Sequence, residues 1–194
     1  RMRPDDPEAW LLRIDAHVAR DAPREANDAL GNVLKRFPGQ PVADLARGRV
    51  EMTSGRFGSA ATAFATALTA LTARSASPRM IAEASAWLGR ARYFGGDLAA
   101  AERALSEAVR LDAGNASAHH HLGLLSMERG DLAGARTAFE RATSADKSYA
   151  DAFYYLGDAA RRLGDGVAAR AAFQAYLQLA PTGEYAREAR ANLR

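Results

Sequence analysis

Apolar residues return every three or four positions along nearly the whole chain, in segments of about 14 residues separated by short turns. That rhythm predicts amphipathic helices, and no stretch alternates in the two-residue rhythm of a strand. The turns carry their own chemistry. Gly96-Asp97, Gly130-Asp131 and Gly164-Asp165 each place a glycine, able to end one helix in the left-handed conformation, before an aspartate able to cap the next. Gly114-Asn115 is expected to act in the same way. Ser77-Pro78 and Asp6-Pro7 offer a cap followed by proline at the first helical position.

The helical pattern repeats. Leu88-Gly89, Leu122-Gly123 and Leu156-Gly157 stand 34 residues apart, a period that points to stacked units rather than one globular core. The phasing predicts five helix pairs, 7–40, 41–74, 82–115, 116–149 and 150–183, with a seven-residue insertion at 75–81. Residues 184–194 form a further amphipathic segment, with Tyr185, Ala189 and Leu193 at helical spacing, expected to cover the last exposed apolar face. Two helical turns of insertion preserve the packing face, so 75–81 reads as a longer helix pair or as a bend. An interior glycine costs a helix roughly 1 kcal/mol relative to alanine. Its recurrence therefore predicts a close crossing, with alanine on the second helix twelve residues later: Gly48 with Ala60, Gly89 with Ala101, Gly123 with Ala135, Gly157 with Ala169. The first pair has Ile14 in the glycine's place, and Leu30, Phe64, Leu105, Phe139 and Phe173 fill the adjacent slot.

Composition narrows the function classes. A net charge of +3 over 194 residues is too mild for an electrostatic nucleic-acid surface, and acidic residues interrupt the basic ones. The cations are arginines except for Lys35 and Lys147. With no cysteine there is no disulfide, thiol catalysis or thiolate metal site. The longest uncharged stretch, 57–73, carries threonines along one face and reads as a half-buried helix, so no direct membrane insertion is expected. No phosphate loop, dinucleotide fingerprint, serine elbow or His-Glu-x-x-His appears, and neither catalysis nor a cofactor is expected. His119, His120 and His121 are consecutive and point about 100° apart on a helix, so they are not expected to converge on a metal. The start at Arg1-Met2-Arg3 and the stop within a helical pattern suggest a fragment of a longer protein, with cytoplasmic and periplasmic placements both open.

These residues resemble the tetratricopeptide repeat, whose consensus runs Trp-x-x-Leu-Gly-x-x-Tyr, then alanine, an aromatic, alanine and proline. Within each 34-residue unit, position 4 is Trp10 or Phe153, position 27 is Ala67, Ala108 or Ala142, and position 32 is Pro38 or Pro181. Departures are Arg13 and Arg47 where leucine is expected, and no tyrosine at position 11. The resemblance implies an all-α α-solenoid, a right-handed superhelix of antiparallel helix pairs. It also implies a concave groove lined by positions 2, 5, 9, 12 and 13 of each first helix. Carried onto this sequence, the groove candidates are Arg49, Arg90, Tyr93, Phe94, His120, Leu124, Met127, Tyr154, Asp158 and Arg161. A groove-facing His120 would tune binding near neutral pH. The implied partner is a peptide or helix of another protein. A carboxylate-clamp adaptor is not expected, because the position 9 residues Asp15, Arg49, Arg90, Leu124 and Asp158 lack its lysine and asparagine. Alternatives left open are a structural or homo-oligomeric assembly platform, for example in bacterial envelope or pilus-type machinery, and the non-catalytic substrate-recruiting arm of a larger enzyme.

Overall fold

A computed structural model describes residues 6–20 and 22–194, so the Arg1-Met2-Arg3 start lies outside the described residues. Among those described, eleven helices follow one another: α1 (Pro7–Ala19), α2 (Pro23–Arg36), α3 (Pro41–Thr53), α4 (Phe57–Ala73), α5 (Pro78–Phe94), α6 (Leu98–Leu111), α7 (Ala116–Glu128), α8 (Leu132–Ala145), α9 (Ala150–Arg162), α10 (Gly166–Leu179) and α11 (Ala186–Ala191). The architecture is all-α and built from consecutive packed pairs. The helices gather into two compact units, α1–α6 ending at Leu111 and α7–α11 beginning at Asp112.

Helix boundaries follow local chemistry. Proline opens α1, α2, α3 and α5, where its missing N–H costs no intrahelical bond. Gly96, Gly130 and Gly164 take φ of 82°, 76° and 82°. The aspartate after each accepts the backbone N–H three residues further on: Ala100 for Asp97, Gly134 for Asp131, Ala168 for Asp165. Gly114 differs. It is not left-handed, and the Asp112 carboxylate accepts its N–H at 2.9 Å, so a local aspartate turn replaces the expected glycine stop. Asn115 still caps α7 through the Ala118 N–H. The extra residues near 75–81 lengthen α4 and α5 to 17 residues each.

The interior glycines meet aromatic or leucine side chains rather than the alanine alone. A Cβ on Gly48 would lie 2.5 Å from the Phe64 ring, on Gly123 2.6 Å from Phe139, and on Gly157 2.8 Å from Phe173. On Gly89 it would lie 2.5 Å from Leu105 and 3.2 Å from the Ala101 carbonyl. Thus the residue sixteen positions on lies directly over the glycine. The alanines at Ala60, Ala101 and Ala135 are sealed off beside it, fully buried. Where Ile14 replaces the glycine, Ile14 itself is fully buried and Leu30 is only partly buried.

The last helix closes the second unit. Ala186 and Ala189 are buried against Phe173 and Tyr176, with Leu193 and Tyr185 packed beside them. The Tyr176 hydroxyl accepts the Tyr185 N–H at 2.9 Å, and the Arg190 guanidinium donates to the Pro181 carbonyl.

Substitution Gly123→Val is expected to lower stability by about 1–3 kcal/mol through overpacking against Phe139. Gly31→Ala, in the interior of α2 where an added Cβ meets nothing within 4 Å, is expected to raise it by about 0.5–1 kcal/mol. Urea unfolding of the two variants checks both signs. Deleting 184–194 uncovers the Phe173–Tyr176 face, and calorimetry and light scattering should show a lower melting temperature and increased self-association.

Candidate functional site

In the N-terminal unit, three charged residues of successive first helices come together. Asp15 on α1 and Arg49 on α3 share one repeat position, and Glu83 on α5 lies two helical turns ahead of Arg90, the residue at that position in the third pair. The Arg49 guanidinium donates one Nη to the Asp15 carboxylate and the other to Glu83 at 2.7 Å. Arg49 is only 3% exposed, while the two carboxylates keep access to water. Its guanidinium carbon lies 4.9 Å from the centre of the Trp87 ring, which in turn stacks on Phe64 at 5.6 Å. A buried arginine is tolerated here because both its Nη groups and its flat face are occupied. This corrects the expectation that Arg49 offers a free contact on an open wall: it is a strut tying α1, α3 and α5.

Burial raises the Asp15 pKa above its ordinary 3.8, outweighing the lowering by Arg49. Its contribution to stability is therefore full below that ordinary value and is lost as pH rises through the raised one.

Arg90 projects from the same face of α5 as Glu83. Its guanidinium carbon is 5.1 Å from the Trp87 ring centre and 5.9 Å from that of Phe94. Phe94 is 45% exposed, stacks on Phe57 at 5.4 Å and meets the edge of Tyr93 at 5.3 Å. Arg90, Trp87, Phe94 and Phe57, with Val18 and Met52, enclose a cavity of about 270 Å³ at the C-terminal ends of the first helices. A second cavity, about 410 Å³, lies at their N-terminal ends, lined by Leu12, Met80, Leu45 and Leu71 together with the charged Glu8, Arg79 and Glu83. Asp15 and Arg49 line both, so the strut forms a sill between them.

In the C-terminal unit, most candidates are engaged in packing. His120 is 5% exposed, with the rings of Tyr149, Tyr155 and Phe139 centred 4.9, 5.5 and 5.6 Å away. It sits in an aromatic core and not on an open face, because α8 and the start of α9 close over it. His119 bonds the Ala113 carbonyl and His121 the Ser117 carbonyl, while the His120 and His121 rings meet edge to face at 5.1 Å. Leu124 and Met127 are partly buried against Phe139 and Ala135. Tyr154 stacks on Tyr185 at 4.2 Å and donates its hydroxyl to Glu188. Burial, then that carboxylate, pushes the Tyr154 pKa upward. The ring is thus a joint between α9 and the closing segment. Asp158 accepts from Arg161 at 2.5 Å and lies 3.9 Å from Arg162.

Trp87 and Phe57 also belong to the wall, although the repeat positions do not single them out, whereas Glu83 stands at position 2 of the third unit, a position expected to line the groove. The signal for Glu83 was its place two turns before Arg90, on the same face of the helix. The signal for Trp87 was its place three residues before Arg90, which sets indole and guanidinium side by side.

Arg49→Met is expected to lower stability by about 1–3 kcal/mol, the loss of charge-assisted hydrogen bonds and of the indole contact. Asp15→Asn is expected to match or exceed the parent at neutral pH, the gap closing as pH falls below 3.8. Urea titrations of both variants across that range test the pair; a less stable Asp15→Asn at neutral pH would contradict the assignment.

No curated protein sequence matches the chain. Several solved structures share its fold. PilW, described as a widely conserved type IV pilus biogenesis factor, is 20% identical, with 95% of this chain and 83% of that one covered at a TM-score of 0.70. Pseudomonas aeruginosa pilF is 20% identical, covering 96% and 86% at 0.72. A thermophilic TPR protein of Thermus thermophilus is 22% identical, covering 97% and 99% at 0.70. The tetratricopeptide repeat model matches four overlapping stretches, 11–78, 45–116, 85–150 and 121–184. Together they span all but the ends of the sequence, and the chain belongs to the tetratricopeptide repeat family.

Proposed function

We propose that this protein-interaction scaffold takes its partner on the face formed by α1, α3 and α5, as an extended or helical segment of another protein. The observation that carries the reading is the pair of cavities on either side of the Asp15–Arg49–Glu83 strut. Both combine large apolar side chains with charged ones, and three of the apolar groups stand well out of the core: Leu12 at 68% exposure, Phe94 at 45% and Met80 at 42%. Exposed apolar groups gathered at one face, with charged groups between them, suit a surface that fixes a chain by its side chains. The strut supports the same reading, because it holds three helices rigid and leaves less conformational entropy to lose on binding.

The division of the surface supports it further. Side chains of one passing segment can enter both cavities, while the polar sill between them faces its backbone. The remaining candidates of the C-terminal unit support this assignment by contrast, since His120, Leu124, Met127 and Tyr154 are already packed against their own chain.

The test is a random peptide library displayed against the whole chain, followed by hydrogen-exchange mapping of the winning peptides. Protection is expected along α1, α3 and α5. Protection confined to α2, α4 and α6, or no enriched peptide at all, would refute the placement.

A further inference from the structure

We infer that the cavity at Arg90 recognises an internal acidic side chain of the partner segment, one standing next to a bulky apolar residue. This rests on the placement of the partner on α1, α3 and α5, and specifies which chemistry that face selects.

Charge pairing comes first. Seven residues on α5 separate Glu83 from Arg90, two helical turns, so both project from one face. Glu83 and Asp15 are both bonded to Arg49. Among the described residues no carboxylate lies within ion-pair distance of Arg90, whose partners are the rings of Trp87 and Phe94. Its Nε is buried and donates to nothing. Asp15 feels its field, yet the Asp15 carboxylate is already committed to Arg49. A guanidinium held by two aromatic rings, partly withdrawn from water and without an anion, is preorganised for one.

Around Arg90 the cavity is lined by apolar side chains on one side and by the Arg49-bonded Asp15 on the other. Val18, Met52, Phe57 and Phe94 line a space of about 270 Å³, with the Asp15–Arg49 pair and Thr53 at its edge. A carboxylate alone would leave the apolar groups wet, and an apolar side chain alone would bury Arg90 without a counter-charge, which is costly. The occupant that satisfies both is a carboxylate beside an aromatic or branched aliphatic side chain. The acid is internal and not a chain terminus, because the face continues past the Arg49 sill into the Leu12–Met80 cavity, so a segment crossing both cavities runs on beyond the contact.

The same peptide library is selected in parallel on the parent, on Arg90→Gln and on Arg90→Lys, each variant first checked for an unchanged melting curve. Peptides that protect α1, α3 and α5 of the parent are expected to be enriched in Glu or Asp adjacent to Phe, Tyr, Trp, Leu or Ile. That enrichment should vanish on Arg90→Gln and return in part on Arg90→Lys. The tightest such peptide, resynthesised with its acid changed to the amide, should lose at least about tenfold in affinity for the parent. On Arg90→Gln, acid and amide versions should bind alike. Capping the peptide's terminal carboxyl as an amide should change nothing. Three results would overturn the inference while leaving the partner-binding face intact: peptides seated on α1, α3 and α5 without an acidic preference, a preference that survives in Arg90→Gln, or dependence on the terminal carboxyl. Absence of any peptide on that face would remove both.

Discussion

The structure depends on one steric fact: a ring or leucine from the second helix of a pair lies directly on a glycine of the first. At Gly48, Gly123 and Gly157 the covering group is phenylalanine, and at Gly89 it is Leu105. Each contact is close enough that a single methyl group would collide. The helix propensity given up at the glycine is offset by close contact over a large apolar surface, and by burial of the covering side chain worth about 1.5–3 kcal/mol. Alanines at the neighbouring positions keep the backbones near each other without competing for the same space. Where Ile14 stands instead, it occupies the space itself and Leu30 is left partly buried.

Once pair geometry is fixed, the repeat sets the first helices of the N-terminal unit alongside one another with matching faces forward. A polar group on one of them then meets charges on its neighbours, which is how Asp15, Arg49 and Glu83 become a strut. The extra residues in α4 and α5 amount to two turns, and two turns keep the same face forward. The consequence is chemical as well as geometric. On α5 an acid and a base share one face, the acid is consumed by Arg49, and the base is left beside Trp87 and Phe94. The group that braces the scaffold and the group proposed to read a partner are thus neighbours on one helix.

The two units use similar first-helix positions for different ends. In the N-terminal unit these positions border open cavities. In the C-terminal unit Tyr154, Tyr155, Tyr176 and Tyr185 assemble into a joint with α11, tied by the contact of the Tyr155 and Tyr185 hydroxyls at 3.1 Å. Large rings beside a closing helix are drawn into packing, since stacking on one another removes more apolar surface from water than facing solvent does.

Helix type, pairing and turn chemistry were legible in the sequence, because they are set by local forces with a fixed period: apolar spacing, left-handed glycines at 96, 130 and 164, and aspartate caps. The family likeness was legible for the same reason, since small residues recur wherever helices cross. Which candidate side chains remain available was decided only in three dimensions. His120 and Phe94 both fall at positions expected to face the groove, yet one is enclosed by Phe139, Tyr149 and Tyr155 while the other stands at a cavity rim. Arg49 and Arg90 share one repeat position, yet only Arg49 has carboxylates on both sides. Exposure and charge pairing depend on what neighbouring helices bring to the same point, and periodicity along one chain specifies the face of a helix without specifying what covers it.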